Sequence, residues 1–405
     1  MTDVVVTGLG AVTAAGEDFD ETWSAVKRGD SGAGPITLFD ASEYPKIPNV
    51  AFEVDADPDE WELADSRRMG RFTQFAVRAA EEALTDADLD RSGDDRGSTT
   101  VGTSIGTAMG GALEFEEYAE QVAAGDRVSP RAIIRYLPNL AAGHVSIEFD
   151  AHGPNRTPTT ACAAGAHAIS DAASDIRTGR ADVMLAGGAE TFTPTILGTF
   201  GALRGLSTRD DEPEAACRPF DEDRDGTVVG EGAAVLVLES REHAEQRGAT
   251  PLATLGGAGL SADASHPTKP PDDAAGMRKA VEAALADADV DPADVDHVNA
   301  HATGTPTGDV HESTGLNAVF DDCPPVTSTK SLVGHPYGAS GAIEAAFTVN
   351  AVDEGVMPPT KNCENRDDDC PVPVVTEARD ADVDVALSNS FGFGGTNGAL
   401  VFEST

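Results

Sequence analysis

The sequence of 405 residues predicts an α/β fold with covered sheets, assembled from two duplicated halves. Two features carry that expectation. Short apolar strands alternate with Ala-rich stretches whose charges lie on one side, as expected where helices cover both faces of a sheet. The chain also repeats itself at long range. Leu84-Thr85-Asp86-Ala87-Asp88-Leu89-Asp90 is answered by Leu285-Ala286-Asp287-Ala288-Asp289-Val290-Asp291, and Gly165-Ala166-His167-Ala168-Ile169 by Gly341-Ala342-Ile343-Glu344-Ala345. A period of about 200 residues is too long for a solenoid and suits a duplication.

Taken in order, Val4-Val5-Val6-Thr7-Gly8-Leu9-Gly10 reads as a buried strand closing in a glycine turn. Residues 72–83 read as a helix, 99–103 as a strand and 163–177 as a second helix. Strands follow over 183–188 and 233–238. A charged helix over 239–247 then gives way to Gly248-Ala249-Thr250-Pro251. The join is placed there, so the expected halves are residues 1–250 and 251–405. In the second, the opening strand recurs loosely over 251–260, and 276–286 is another Ala-rich helix.

Lys plus Arg total 28 against 70 Asp plus Glu, a net charge of −42, and only six of the basic residues are Lys. Such a charge repels phosphate backbones and anionic lipid, so no nucleic acid and no membrane surface is expected as a partner. With 40% hydrophobic residues and its acids scattered, the chain is expected to be globular. An acidic, hydrated surface suits a protein kept soluble in strong salt, where the Debye length shrinks to about 3 Å at 1 M. A halophilic habitat is expected. Cys162, Cys217, Cys323, Cys363 and Cys370 form no CxxC pair, which indicates neither a disulfide framework nor a zinc site. No run of about 18 apolar residues occurs, and Met1-Thr2-Asp3 opens straight into a strand, so a cytoplasmic location is expected.

Chemistry concentrates at three strand-to-helix junctions. Thr159-Thr160-Ala161-Cys162-Ala163-Ala164-Gly165 turns from an extended approach into a helix of small residues. That puts Cys162 near a helix N-terminus, where N–H groups and the macrodipole are expected to lower the thiol pKa. His167 is rotated off the Cys162 face and reads as a packed helix residue. Any partner must come from elsewhere. Val298-Asn299-Ala300-His301-Ala302-Thr303-Gly304-Thr305 places one His at a strand end; Ser328-Thr329-Lys330-Ser331-Leu332-Val333-Gly334-His335 places a rare Lys and a second His in a glycine-bearing loop. Asp221-x-Asp223-x-Asp225-Gly226 imitates a calcium loop, but Glu231 falls one position early and no flanking helix pair is evident. Arg224 and Glu231 are expected in buried or interface polar contacts instead.

Ala161-Cys162, Asn299-Ala300-His301, Lys330-Ser331 with Gly334-His335, and Asn389-Ser390-Phe391-Gly392-Phe393-Gly394-Gly395-Thr396-Asn397 together resemble the β-ketoacyl-acyl-carrier-protein synthases, most closely the elongating type II class. The likeness spans nearly the whole chain and includes Arg218-Pro219-Phe220-Asp221 through Gly230-Glu231-Gly232. It implies a thiolase-like fold, two α/β halves in a five-layered αβαβα core. It also implies decarboxylative Claisen condensation of an acyl thioester, held on Cys162, with a malonyl thioester carried on acyl carrier protein or coenzyme A. The backbone N–H groups of Cys162 and Phe393 would form the oxyanion hole, and His301 and His335 would hydrogen-bond the enolate. Lys330 would act around His335 and Glu344 without touching substrate. Thr268, Thr303 and Thr305 match pantetheine-binding positions, Phe393 a gate, and Phe200 the acyl tunnel. No redox cofactor is implied; a structural monovalent cation would lie at Asn299, Glu344, Ser388 and Asn389. A homodimer is the family's expected assembly. Ala302, Gly304, Val333 and Pro336-Tyr337 depart from the commoner residues and abut the pocket.

Three rivals share parts of this pattern. A thiolase needs a second Cys in a C-terminal Cys-x-Gly-Gly loop, whereas Cys370 precedes Pro-Val-Pro and the glycine loop at 392–395 holds none. A non-catalytic chain-length factor would lack Cys162. A polyketide-type ketosynthase shares every motif. Arg67, Arg68 and Arg71, or Arg127, Arg131 and Arg135 on one expected helix face, are the basic clusters available to an acidic carrier.

Overall fold

A computed structural model describes residues 2–44, 46–89 and 99–405. Asp90, the last residue of the first repeated segment, lies outside them. The strands are β1 (Val4–Val12), β2 (Val101–Gly106), β3 (Asn155–Arg156), β4 (Val183–Glu190), β5 (Gly232–Ser240), β6 (Ala253–Ala262), β7 (His297–Asn299) and β8 (Val326–Thr327). A short ribbon, β9 (Val356–Met357) with β10 (Arg379–Asp380), precedes β11 (Val385–Gly392) and β12 (Thr396–Glu403). The main sheet runs β3-β2-β4-β5-β1-β6-β12-β11-β7-β8.

Counted outward from the middle, the first half reads β1, β5, β4, β2, β3 and the second β6, β12, β11, β7, β8. The first two pairings of each series are antiparallel and the last two parallel. Among the described residues, the two series pair in the sheet through Val5 opposite Thr254 and Val6 opposite Ala253. Two like sheets, not one continuous surface, are therefore the natural description, and the duplication is written in their strand order.

Helices complete the five layers. Ala164–Arg177 and Tyr337–Glu354 lie between the sheets, Arg71–Asp86 covers the outside of the first and Ala275–Ala288 the outside of the second. The two faces of β5 show the sorting. Ala234, Leu236 and Leu238 join the central core with Ile169, Ile176, Ile343 and Phe347, whereas Ala233, Val235 and Val237 face Phe72, Phe75 and Ala79 outside. Because both faces are covered, β1, β4 and β5 are apolar almost throughout.

β1 does not stop at Gly10 but continues to Val12. Gly8 and Gly10 are there for close approach, since a Cβ on either would lie 2.3 Å from the Ala83 carbonyl oxygen or 2.1 Å from that of Ala79. Gly257 and Gly259 of β6 meet Ala284 and Ala280 of the other outer helix in the same way, at 2.2 and 2.0 Å. The charged helix before the second half begins at Arg241, with Glu239 still in β5. The expected basic helix face over 127–135 is absent, because the helix starts only at Ala132, after Pro130. Arg135 turns inward to the Met69 carbonyl, 3.0 Å away.

The two central helices touch backbone to backbone. A Cβ on Gly165 would lie 2.7 Å from Ala342 N, and one on Gly341 would lie 2.8 Å from Ala166 N. Gly165→Val should force these helices apart and cost about 1–3 kcal/mol. The unfolding midpoint in urea measures this, and an unchanged midpoint would refute the account.

Candidate active site

Cys162 sits in a single 3-10 turn, Ala161–Ala163, that leads into Ala164–Arg177. Ala161 is held at φ 51°, a left-handed conformation that costs a non-glycine residue about 1–2 kcal/mol. The turn is stabilised from the second half: the Thr396 hydroxyl donates to the Thr160 carbonyl at 2.9 Å. Three residues after Cys162, the glycine crossing brings in the start of Tyr337–Glu354, and with it His335.

His335 Nε2 lies 3.1 Å from Cys162 Sγ, and its Nδ1 lies 2.8 Å from Ser340 Oγ. The His301 ring stands edge-on to His335 with centroids 5.3 Å apart, and Phe391 packs against its other side at 5.9 Å. The ligand atoms of Cys162, His301 and His335 all fall within 4.8 Å of one another. His301 follows β7, and its backbone N–H donates to Glu312 Oε1 at 2.9 Å, while Ala302 N–H donates to Oε2 at 2.7 Å. The backbone N–H groups of Phe393 and Cys162 both point at Sγ.

Burial sets the electrostatics. Cys162 is 8% exposed, and desolvation pushes its thiol up to about 12, outweighing Lys330 and the two N–H groups. The expected lowering at a helix start is therefore not found in the resting site. Only one turn of helical amides faces the sulfur, and water is largely excluded. Burial, reinforced by Lys330, also holds His301 and His335 well below the ordinary imidazole range, so both rings are neutral. Lys330 is wholly buried, beginning the short helix Lys330–Val333, and pairs with Glu344.

A cavity of about 450 Å³ opens onto Cys162, His301 and His335 and is lined further by Phe200, Thr268, Thr303, Thr305 and Phe393. The Thr303 and Thr305 hydroxyls lie 3.1 Å apart, and Thr305 Oγ1 also accepts from Gly308 N–H at 3.2 Å, so part of its capacity goes to its own loop. Phe393 is 42% exposed and stacks on Phe200 with centroids 5.6 Å apart. His167 is a half-buried helix residue, near the Asn397 carbonyl. Glu231 binds Arg71 and Thr191, and Arg224 binds Asp367, so the calcium-like segment is spent on internal pairs. Cys370 packs with Cys363 in the outer core of the second half, not in the cavity.

The four expected cation positions carry an unusual set of oxygens. Asn299 Oδ1, Glu344 Oε2, Ser388 Oγ and Asn389 Oδ1 are all buried without a hydrogen-bond partner. Ser388 pairs directly with Asn299 across β11 and β7. Glu312 and Glu344 are each pushed up to about 7 by burial; the Lys330 ammonium pairs with Glu344 and acts on Glu312 through its field alone. Two buried carboxylates with one ammonium, ringed by unpaired oxygens, fit a monovalent cation.

Glu312 and Ser340 escape sequence reasoning. Each is an ordinary polar residue inside a helix, and only the fold shows that one fixes the backbone of His301 and the other fixes the His335 ring.

A Cys beside two neutral imidazoles at the junction of duplicated halves defines a condensing enzyme of the thiolase-like class. Family profiles for the β-ketoacyl synthase N-terminal domain and C-terminal domain match residues 1–244 and 252–364. A 3-oxoacyl-[acyl-carrier-protein] synthase 2 of Coxiella burnetii is 44% identical over 99% of this chain and 98% of its own. Among solved structures, a β-ketoacyl synthase of Burkholderia phymatum superposes with TM-score 0.92 at 37% identity, over the full length of both chains. A type II polyketide ketosynthase, solved with its acyl carrier protein and bound to a hexaketide, gives 0.91 at 32%, again over both full lengths. The chain belongs to the β-ketoacyl synthase family and is an acyltransferase.

Because burial raises the thiol to about 12, alkylation of Cys162 in the resting enzyme should rise steadily from pH 7 to pH 10. Mass spectrometry of iodoacetamide-treated protein measures it; a plateau near neutral pH would show a lowered thiol instead.

Proposed function

We propose that this protein elongates acyl chains in fatty acid synthesis, condensing an acyl thioester with a malonyl thioester to give a 3-ketoacyl thioester and CO₂. One observation carries the reading: the 3.1 Å contact of His335 Nε2 with Cys162 Sγ, with the His301 ring alongside in the same cavity. Cys162 Sγ attacks the acyl carbonyl, forming the new S–acyl bond as the old C–S bond breaks. The thiol proton leaves with the departing thiol. The negative oxygen of the tetrahedral intermediate is held by the N–H groups of Cys162 and Phe393, which already converge on the sulfur. The malonyl group then loses CO₂, and the C–C electron pair becomes an enolate.

Neutral rings suit that step, because they donate hydrogen bonds to charge that develops only in the transition state. With the Ser340 hydroxyl as donor to His335 Nδ1, 2.8 Å away, the ring proton would sit on Nε2, directed at the reacting centre. His301 supplies the second donor. The enolate carbon attacks the acyl carbonyl, the tetrahedral intermediate collapses, and the thiolate of Cys162 leaves and takes up a proton. Lys330 is a positioning residue, since it contacts Glu344 and not the cavity. Thr268, Thr303 and Thr305 would meet the amides of the pantetheine arm, Phe200 would line the acyl path and Phe393 would gate it. A monovalent cation held by Asn299, Glu344, Ser388 and Asn389 would balance the buried acids.

The donor is assigned to acyl carrier protein, in line with the name of the bacterial relative, with coenzyme A thioesters as the alternative carrier. The polyketide ketosynthase likeness supports polyketide chain extension as the second reading. A homodimer, the family's expected form, would cover the exposed Met109, Phe115 and Ile133. All five cysteines are free, which fits a reducing cytoplasm.

With Cys162→Ala, acyl capture by intact-mass measurement should vanish. Lys330→Ala should reduce turnover by at least tenfold while the protein still folds; normal turnover would remove its role. The thermal midpoint should rise with choline chloride as the acidic surface is screened, and rise again when K⁺ replaces choline at equal ionic strength. Protonation of Glu312 and Glu344 below about pH 7 should weaken that second increment. An increment equal at pH 6 and pH 8 would exclude the cation from these carboxylates.

A further inference from the structure

The calcium-like segment over 221–226 has no task in the mechanism above, and its arginine is built into the wall of the cavity. Arg224 is 8% exposed, and its guanidinium is bonded on every side. Nη1 donates to the Asp221 carbonyl at 2.8 Å and to Asp367 Oδ2 at 2.6 Å, which ties the group to its own turn and to a later segment of the chain. The remaining bonds cross to the loop that follows β7. Nε donates to the Thr305 carbonyl at 3.2 Å and Nη2 to the Pro306 carbonyl at 3.1 Å.

Asp309, buried in the first turn of the helix Gly308–Val319, holds the same loop by another peptide group. Its Oδ1 accepts from Gly304 N–H at 3.1 Å, its Oδ2 accepts from Phe220 N–H at 2.9 Å, and Oδ2 lies 3.9 Å from Arg224 Nε. Gly304, at φ 76°, lets the loop close onto this support, since a Cβ there would lie 3.2 Å from the Gly226 carbonyl oxygen. The supported loop is cavity wall: Thr303, Thr305, Pro306 and Thr307 all line it, whereas Arg224 does not. His301, at the start of the loop, is held separately through the bond of its backbone N–H to Glu312. The wall can therefore move without moving the reacting groups.

We propose that Arg224 is a positioning residue that sets the Thr303 and Thr305 hydroxyls against the pantetheine arm, and so makes the enzyme prefer thioesters that bear this arm. The inference rests on the arm-binding reading of those two threonines and adds the group that holds them in place. Hydrogen bonds weaken steeply with misalignment, so a displaced loop loses the arm while the sulfur stays reactive. A lysine cannot do the same work: its donors radiate from one nitrogen, whereas the planar guanidinium spans two successive carbonyls and a carboxylate at once.

The test uses the full chain, Arg224→Lys, and two hexanoyl thioesters that differ only in the thiol, pantetheine or ethanethiol. Acyl-Cys162 formation is followed by intact-mass measurement. The wild type should load the pantetheine thioester faster, and Arg224→Lys should reduce that ratio about tenfold, the value of one to two hydrogen bonds. The fall should appear in KM for the pantetheine thioester, with loading from the ethyl thioester and iodoacetamide alkylation of Cys162 unchanged. Asp367→Ala, which frees one end of the guanidinium, is the second variant should Arg224→Lys fail to fold; it should lower the same ratio by a smaller factor. A ratio unchanged in the variants that fold overturns the proposal. A loss shared equally by both thioesters, or slowed alkylation of Cys162, marks a general structural role and equally overturns it. A wild type that loads both thioesters alike shows instead that the arm-binding reading of Thr303 and Thr305 has failed, and the inference falls with it.

Discussion

The contact between Gly165 and Ala342, repeated between Gly341 and Ala166, is the constraint on which the site depends. Side chains of any size at those glycines would hold the helices farther apart. The sulfur is three residues from one glycine and the imidazole six from the other, so the 3.1 Å approach of His335 to Cys162 follows from that crossing. Both helices are the middle layer of five, which means the reacting groups are assembled under two sheets. Geometry and dryness are thus consequences of one packing decision.

Dryness then decides the protonation states. At 4 Å an ion pair is worth about 4 kcal/mol at an effective dielectric of 20, against about 1 in water. A single buried ammonium, Lys330, is consequently felt by Cys162, His301, His335, Glu312 and Glu344 together. It favours the thiolate when one forms and disfavours charging either ring. Most of the remaining charge is acidic, and many of those acids are exposed. Inside, one of its six lysines is placed where its field reaches all five of these groups.

Much of this was legible in the sequence, for identifiable reasons. Duplication leaves a one-dimensional trace because the two central helices meet each other through the same small residues, which is why Gly165-Ala166 and Gly341-Ala342 match. Cys162, His301, Lys330 and His335 stand at strand-to-helix junctions, where spacing locates them. What was not legible depends on depth. The thiol's raised pKa opposes the helix-start argument because desolvation is a property of the whole fold, not of the turn. Glu312 and Ser340 look like any polar helix residue. The glycines of β1 read as a turn because their reason, an outer helix pressed against the strand, lies about 70 residues away in the chain.

The duplication also explains how one architecture supports chemistry in only one of its two equivalent places. Four residues before each crossing glycine stands a non-glycine residue in the left-handed region, Ala161 at φ 51° and Tyr337 at φ 39°. The residues that follow are Cys162 and Gly338, whose amides begin equivalent helices. In the second half that amide, with those of Ala108 and Met109, is occupied by the buried carboxylate of Glu190. In the first half the corresponding amide faces the cavity beside a sulfur. The fold thus builds the same positive-φ turn, followed by an amide at a helix start, twice. One copy is filled by the protein's own carboxylate, which fixes the framework. The other is left open, so the turn at Ala161 presents Cys162 to the cavity while its counterpart at Tyr337 packs against Phe200.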